Sequence, residues 1–328
     1  MYLALQHPEY GYYHNSASFK QDFVTAPEVS SLFGCAIGRW ICQMLRQMDL
    51  SELSDLLLVE LGPGYGTMMK DILSSAEQLS ELKVHLVESS AAFQAAQKKQ
   101  LAGFDVCWHK EVASLPDQPM LVLANEFFDA LPIYQFAYDV HDGVWHERRL
   151  ALADGQLKFV LEPPSSSCLA LALDKKPICS GAVLEICPQA TSIMGFISEK
   201  ISKNGGSILI IDYGYLQRPH LSTLQAVKQH QFWPILEDLG QADITAYVDF
   251  GALIAVASAY DNLEIKELIS QSEFLSQIGI EEMVRDLSSR KTIDSALVDK
   301  AADILTSKSF MGELFKVLVI YNKDCIAA

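Results

Sequence analysis

Apolar residues in the first fifty positions fall at helical spacing. Leu32, Phe33, Ile37, Trp40, Ile41, Met44, Leu45 and Met48 predict a helix between Pro27 and Met48. A short apolar run, LLLVELG (56–62), follows and ends in glycine, the pattern of a parallel strand buried on both faces. Met68, Met69, Ile72 and Leu73 then mark a helix. KVHLVE (83–88) predicts a second strand, 91–101 a second helix, FDVCWH (104–109) a third strand and MLVLANE (120–126) a fourth. This alternation predicts an α/β fold with a Rossmann-like, doubly wound sheet.

The rhythm changes after Pro132. IYQFAYDV, VWHERRLALA and LKFVLEP (133–163) are separated by Asp142-Gly143 and Asp154-Gly155, dipeptides that signal hairpins. They predict an inserted β-meander over 133–179, with a loop at Pro163 to Ser167. VLEICP (183–188), a helix to about Lys203 and SILIIDYG (207–214) read as the α/β pattern resuming. Residues 215–245 read as irregular, 250–308 as largely helical, and GELFKVLVIYN (312–322) as a late strand closing the sheet edge. The expected organisation is an aromatic and helical segment (1–50), a core from 51–132 and 180–328, and the meander between them. The sequence shows no internal repeat and no low-complexity tract.

Composition narrows the function classes. The chain of 328 residues is 50% hydrophobic with mean hydropathy +0.15, enough apolar surface for a packed core. Asp and Glu number 41 against 25 Lys and Arg, giving a formal charge of −16. Such acidity argues against a general phosphate-backbone binder, so no nucleic-acid partner is expected, and against a polybasic membrane anchor. The seven cysteines are scattered, with no Cys-x-x-Cys pair and no His cluster nearby, so neither a metal site nor a disulfide framework is expected. Reduced thiols suit a cytoplasmic protein. The opening MYLALQHPEYGYYH lacks a basic, then long apolar, leader, and no apolar run reaches the length of a membrane span.

The sharpest local feature is Glu60-Leu61-Gly62-Pro63-Gly64-Tyr65-Gly66-Thr67, where the first strand turns into its helix. Glycines there admit unusual φ values and close approach of a ligand. A dinucleotide fingerprint needs a third glycine where this chain has Thr67, and Pro63 removes a backbone donor from any phosphate nest. Glu88 ends the second strand, 22 residues past Gly66, where a carboxylate accepts hydrogen bonds from both ribose hydroxyls. That device serves both nicotinamide and S-adenosylmethionine enzymes. Asn125, Glu126 and Asp129, in NEFFDALP, fall at the C-terminal end of the fourth strand, the crevice edge of an open α/β sheet. Two carboxylates there can hold a guanidinium or ammonium group, and helix capping is the plainer alternative.

These blocks, in order, resemble the MidA-like methyltransferases, a family that includes a mitochondrial complex I assembly factor described as a protein arginine methyltransferase. HPEYGYY (7–13), DFVTAPEVSSLFG (22–34), VELGPGYGT (59–67), VHLVESS (84–90), WH (108–109), LANEFFDALPIYQF (123–136), LEICP (184–188), GGSILIIDYG (205–214), ADITAYVDF (242–250), QSEFLSQIGI (271–280) and MGELFKVLVI (311–320) carry the resemblance. It implies a class I methyltransferase fold, S-adenosyl-L-methionine as cofactor, and a protein partner, of respiratory-complex type or other, as substrate. By motif position, Glu60, Gly62, Gly64, Gly66, Glu88, Trp108, His109 and Asn125 would bind the cofactor. Residues 1–50, with Thr25, Pro27 and Glu28, would pack over that site, and the helices of 250–308 would lie on the substrate side. Glu126 and Asp129 are the leading candidates for catalytic carboxylates, with Asp212 and Asp249 behind them. Departures include Tyr65 in place of Arg, Gln21 and Ala26 for Gly and Ser, Gln225-Ala226 for Arg-Gly, Gln229-His230 for Asp-His, and Trp233 for a later His. Those in 215–236 bear on the substrate side. The alternative is an assembly or binding protein of the same fold with little catalysis.

Overall fold

The computed structural model describes residues 1–14, 25–48, 55–164, 181–289 and 294–326. Gln21, Cys168, Cys179, residues 22–24 of the N-terminal signature and the serines at 165–167 lie outside the described residues. The chain divides into two compact units, each assembled from non-contiguous segments.

One unit comprises Val24–Phe128, Ile193–Gly214 and Ala252–Ala328. Its parallel strands are β1 (Leu57–Leu61), β2 (Lys83–Val87), β3 (Val106–His109) and β4 (Met120–Asn125). Strands of the other unit, β5 (Tyr134–Asp139), β6 (Val144–Ala153), β7 (Gln156–Glu162) and β8 (Val183–Ile186), follow before β9 (Gly206–Tyr215) rejoins the parallel set. Strand β1 is buried at all five positions, as its uninterrupted apolar run requires when both neighbours, β2 and β4, pair in parallel. Helix α1 (Ser31–Gln47) starts at Ser30, whose side chain accepts from the backbone N–H of Leu32. Helices α2 (Thr67–Ser75) and α3 (Ala91–Gln100) follow β1 and β2, as the strand–helix alternation predicts.

The late strand does not close the edge. After the short β10 (Gln225–Lys228), β11 (Gln231–Trp233) and β12 (Asp243–Thr245) come β13 (Leu263–Ile265), β14 (Ile269–Ser270) and the late strand β15 (Phe315–Asn322). Strand β15 runs antiparallel to β9 on one side and to β13 and β14 on the other. The sheet order is therefore β13-β15-β9-β4-β1-β2-β3. Strands of two or three residues are too short for a readable period of two, so the true edge is invisible in the pattern. Helices Phe250–Ala257, Gln271–Gln277, Ile280–Ser289 and Ser295–Thr306 account for the helical stretch.

The other unit comprises Met1–Phe23, Asp129–Ser192 and Tyr215–Gly251. Its four-stranded antiparallel sheet has the order β7-β6-β5-β8. Asp154 and Gly155 both take positive φ, 53° and 76°, in the two-residue turn joining β6 to β7. Strand β8 pairs antiparallel with β5 and is not a strand of the parallel sheet. A four-residue apolar strand suits either neighbour, and only pairing decides. Residues 225–245, expected to be irregular, contain the three-stranded sheet β11-β10-β12. Its tight turn uses Gln229 and His230 at φ 52° and 61°, without the glycine that marks such turns in a sequence. Leu5 and Tyr12 are buried with Ala226, Ala242 and Ile244 in a core of this unit. Among the described residues, no helix is long and apolar enough to cross a membrane.

Candidate functional site

The glycine turn lies at the C-terminal end of β1. Gly62, Gly64 and Gly66 take φ of 61°, 53° and 80°, all in the left-handed region that glycine enters without penalty. The Gly62 N–H donates to the carbonyl oxygen of Val87 at 3.0 Å, tying the turn to β2, and Gly66 caps α2. A Cβ at Gly62 would come within 2.8 Å of the Phe127 ring, whereas one at Gly64 would meet nothing within 4 Å. Open space over Gly64 is what close approach of a ligand to the backbone needs.

Two buried carboxylates flank this turn. Glu60 is 3% exposed, and its Oε2 has no hydrogen-bond partner among the described residues. Burial, reinforced by the neighbouring charge of Glu88, raises its carboxyl to about 8. Burial also raises Glu88, to about 7, against the opposing pull of its donors. Those donors include the Ser90 N–H at 2.7 Å on Oε1 and Gln97 Nε2 at 3.4 Å on Oε2. Glu60 Oε2 lacks a donor among the described residues and burial keeps Glu88 raised despite its donors, so the pair suits hydroxyl or ammonium groups and would repel a pyrophosphate.

Gln97 joins three parts of the site. Its Nε2 donates to the Gly64 carbonyl oxygen at 2.7 Å, and its Oε1 accepts from the Trp108 indole N–H at 3.0 Å. It is fully buried on α3. In the sequence it is one polar residue in AAFQAAQKKQ, a run whose apolar spacing carries no sign of this contact. His109 is placed elsewhere. Side chains alternate along β3, so Trp108 faces Gln97 while the His109 ring lies on the opposite face, against His85 and Ser114. Tyr65, the departure inside the glycine turn, packs edge-on against Phe93 with ring centroids 5.2 Å apart.

The NEFF block meets the turn through Phe127 and Gly62. Glu126 takes φ 48°, a conformation that costs a non-glycine residue about 1–2 kcal/mol. Its N–H donates to the Ile211 carbonyl oxygen at 2.9 Å, while its Oε1 accepts from the Ala26 N–H and from Asn125 Nδ2, both at 3.3 Å. Asn125 Oδ1 is buried with no partner among the described residues. The Thr25 to Glu28 segment is brought to the same place: Thr67 Oγ1 donates to Glu28 Oε1 at 2.6 Å. Asp212 serves the block as a support, since its Oδ2 accepts from the Phe128 N–H at 3.0 Å and its Oδ1 from the Tyr213 N–H at 2.9 Å.

Asp129 and Asp249 belong to the other unit. The Asp129 carbonyl oxygen accepts from the Ala246 N–H at 3.1 Å. Its carboxylate, with that of Asp243, adds to the burial that holds the Tyr13 hydroxyl well above its usual range. Asp249 pairs with Arg218. In the same unit Glu185 secures the segment rich in departures: it accepts from Gln135 Nε2 at 2.7 Å and from the Thr223 N–H at 3.0 Å.

An orphaned carboxylate oxygen, a second carboxylate beside it and open backbone at Gly64 together fit a nucleoside that brings hydroxyl and cationic groups and no phosphate. A family model described as "Putative S-adenosyl-L-methionine-dependent methyltransferase" matches residues 36–269. The chain belongs to this family. Its members are the MidA-like methyltransferases, and their cofactor is S-adenosyl-L-methionine. "Protein arginine methyltransferase NDUFAF7, mitochondrial" from Danio rerio is 31% identical over 99% of this chain and 82% of its own length. The Drosophila melanogaster homologue is 30% identical over 97% of this chain and 79% of its own length. A crystal structure of a Burkholderia thailandensis protein bound to S-adenosyl-homocysteine matches with a TM-score of 0.85. It is 25% identical and covers 100% of this chain and 87% of that one. Bound at the end of β1, the cofactor would be held by Glu60, Glu88 and the turn at Gly62 to Gly66, which Gln97 braces.

Proposed function

We propose that this methyltransferase transfers the methyl group of S-adenosylmethionine to an arginine side chain of a protein partner. The observation that carries the reading is the Glu126 carboxylate, held by Ala26 and Asn125 next to the residue that packs on the glycine turn. When bound, the cofactor supplies an electrophilic sulfonium methyl group. The acceptor guanidinium is cationic at all physiological pH, so two positive charges must be brought together. Glu126 lowers that cost by offsetting the acceptor's charge. It also offers a base for the proton that leaves the attacking nitrogen as the new N–C bond forms and the S–C bond breaks. Asp129, three residues further along the same sequence block, is proposed as a second acidic candidate. Support for arginine comes from the two relatives named as protein arginine methyltransferases.

The test is incubation of the purified chain with S-adenosylmethionine labelled in the methyl group and a lysate of its own organism. Labelled methylarginine is expected after protein hydrolysis, with much less from Glu126→Gln and Asp129→Asn. Label in another residue would overturn the arginine assignment. No label from a chain that binds S-adenosyl-homocysteine would favour the assembly-protein reading.

A further inference from the structure

Three metal-ligating side chains that the cofactor site does not use meet at the edge of the parallel sheet. In the β2–β3 register His85 lies opposite Cys107, and Val87 opposite His109. By strand alternation His85, Cys107 and His109 share the face opposite Trp108. Their ligand atoms all lie within 4.8 Å of one another. The two imidazole rings stack with centroids 4.9 Å apart and planes at 21°. His85 Nδ1 is 2.9 Å from His109 Nε2. Cys107 is exposed, so an ion reaches the group directly from solvent.

A fourth residue orients the lone pairs. Ser114 Oγ donates its proton to the Glu111 carbonyl oxygen at 2.8 Å. Its oxygen is thereby the acceptor for His109 Nδ1, 2.9 Å away. His109 therefore carries its proton on Nδ1 and turns the Nε2 lone pair toward His85. Metal-ligating histidines donate their far ring N–H to an oxygen acceptor that fixes tautomer and orientation, and the Ser114 oxygen takes that place here.

We propose that His85, Cys107 and His109 bind one borderline-soft divalent transition-metal ion, Zn²⁺ foremost. Two imidazole nitrogens and a thiolate are a zinc donor set, and they disfavour Mg²⁺ and Ca²⁺, which want oxygen. A tetrahedral ion with Zn–N of about 2.0–2.1 Å needs its two nitrogens about 3.3 Å apart. The rings meet that by separating a few tenths of an ångström from their 2.9 Å contact. Binding releases the Cys107 thiol proton to water, and the proton between the rings moves to His85 Nε2. Water fills the fourth position. The ion links β2 to the edge strand β3 on the face away from Gln97.

Cobalt(II) is the probe, added to the full chain after treatment with a chelator. One equivalent should produce tetrahedral visible bands and a thiolate-to-cobalt charge-transfer band, both displaced by Zn²⁺. Cys107→Ser should remove the charge-transfer band although six other cysteines remain. His85→Asn should weaken cobalt binding by at least about 10-fold. Circular dichroism establishes that both variants are folded, which exposure of Cys107 favours. Absence of the charge-transfer band in the parent chain, or its survival in Cys107→Ser, overturns the proposal.

Discussion

Gln97 Nε2 donates to the Gly64 carbonyl oxygen at 2.7 Å, so a helix side chain holds the glycine turn from behind. The same amide reaches Glu88 and the Trp108 indole. Gln97→Leu keeps the bulk and removes all three bonds. It should weaken S-adenosyl-homocysteine binding by about 10-fold and lower stability by about 1–3 kcal/mol, the cost of stranding buried polar groups. Titration calorimetry and urea unfolding read the two effects. Unchanged affinity would show that the turn holds its shape without this residue.

Gly62 and Gly64 should respond differently to alanine. Both need positive φ, but only at Gly62 does the new Cβ run into Phe127. Gly62→Ala should cost stability and binding together, by about 2–4 kcal/mol of unfolding free energy. Gly64→Ala should cost only about 1–2 kcal/mol from its backbone. Its methyl group would stand in the open space over the turn, so if the cofactor approaches there binding should suffer far more than folding. Comparable stability losses in the two variants would contradict this.

The raised carboxyls of Glu60 and Glu88 fix a sign for pH dependence. Each ordinarily titrates near 4.5 and is lifted to about 8 and about 7 respectively. Between those limits the folded state holds more protons than the unfolded state, so stability falls as pH rises. The ligand-free protein should therefore resist urea better at pH 5 than at pH 8. Glu60→Gln should flatten that slope, and an unaltered slope would remove Glu60 as its source.

Binding of the cationic cofactor should pull both carboxyls back toward ionisation. Protons are then released on binding at pH 7, and affinity rises between about pH 6 and 8. Calorimetry in buffers of different ionisation enthalpy counts them. Proton uptake would refute the placement of these two groups at the cofactor.

Asp212 is a strand residue with no exposure, spending both oxygens on backbone N–H groups of Phe128 and Tyr213. Asp212→Ala should destabilise the unit by about 2–3 kcal/mol by stranding both donors. Methyl transfer should fall with it because the NEFF block loses its anchor. Asp212→Asn keeps one acceptor and should recover part of the stability. Full activity in a folded Asp212→Ala chain would reduce this residue to a packing role.

Local spacing made much of this molecule legible. The glycine turn, Glu88 at a strand end and Asn125-Glu126 at another are separated along the chain by whole strand–helix units, and any parallel sheet gathers such strand ends on one edge. What spacing could not show was contact between faces. Gln97 looks like one more helix glutamine, and nothing near Asp212 in the sequence shows that its two oxygens accept from the backbone of Phe128 and Tyr213. Short strands were similarly opaque: β8 and β13 are too brief to announce their partners.

Sequence alone determined the alternation of strands and helices, the left-handed glycines and the acidic strand ends, because each follows from the conformational preferences of a few neighbouring residues. Only the tertiary structure decided that β15 lies inside the sheet, that the Glu60 and Glu88 carboxyls are buried together, and that His109 turns away from Trp108 toward His85 and Cys107. Those outcomes depend on strand register and on which face a side chain takes. A pairing between residues 22 positions apart fixes both, and no local pattern encodes it.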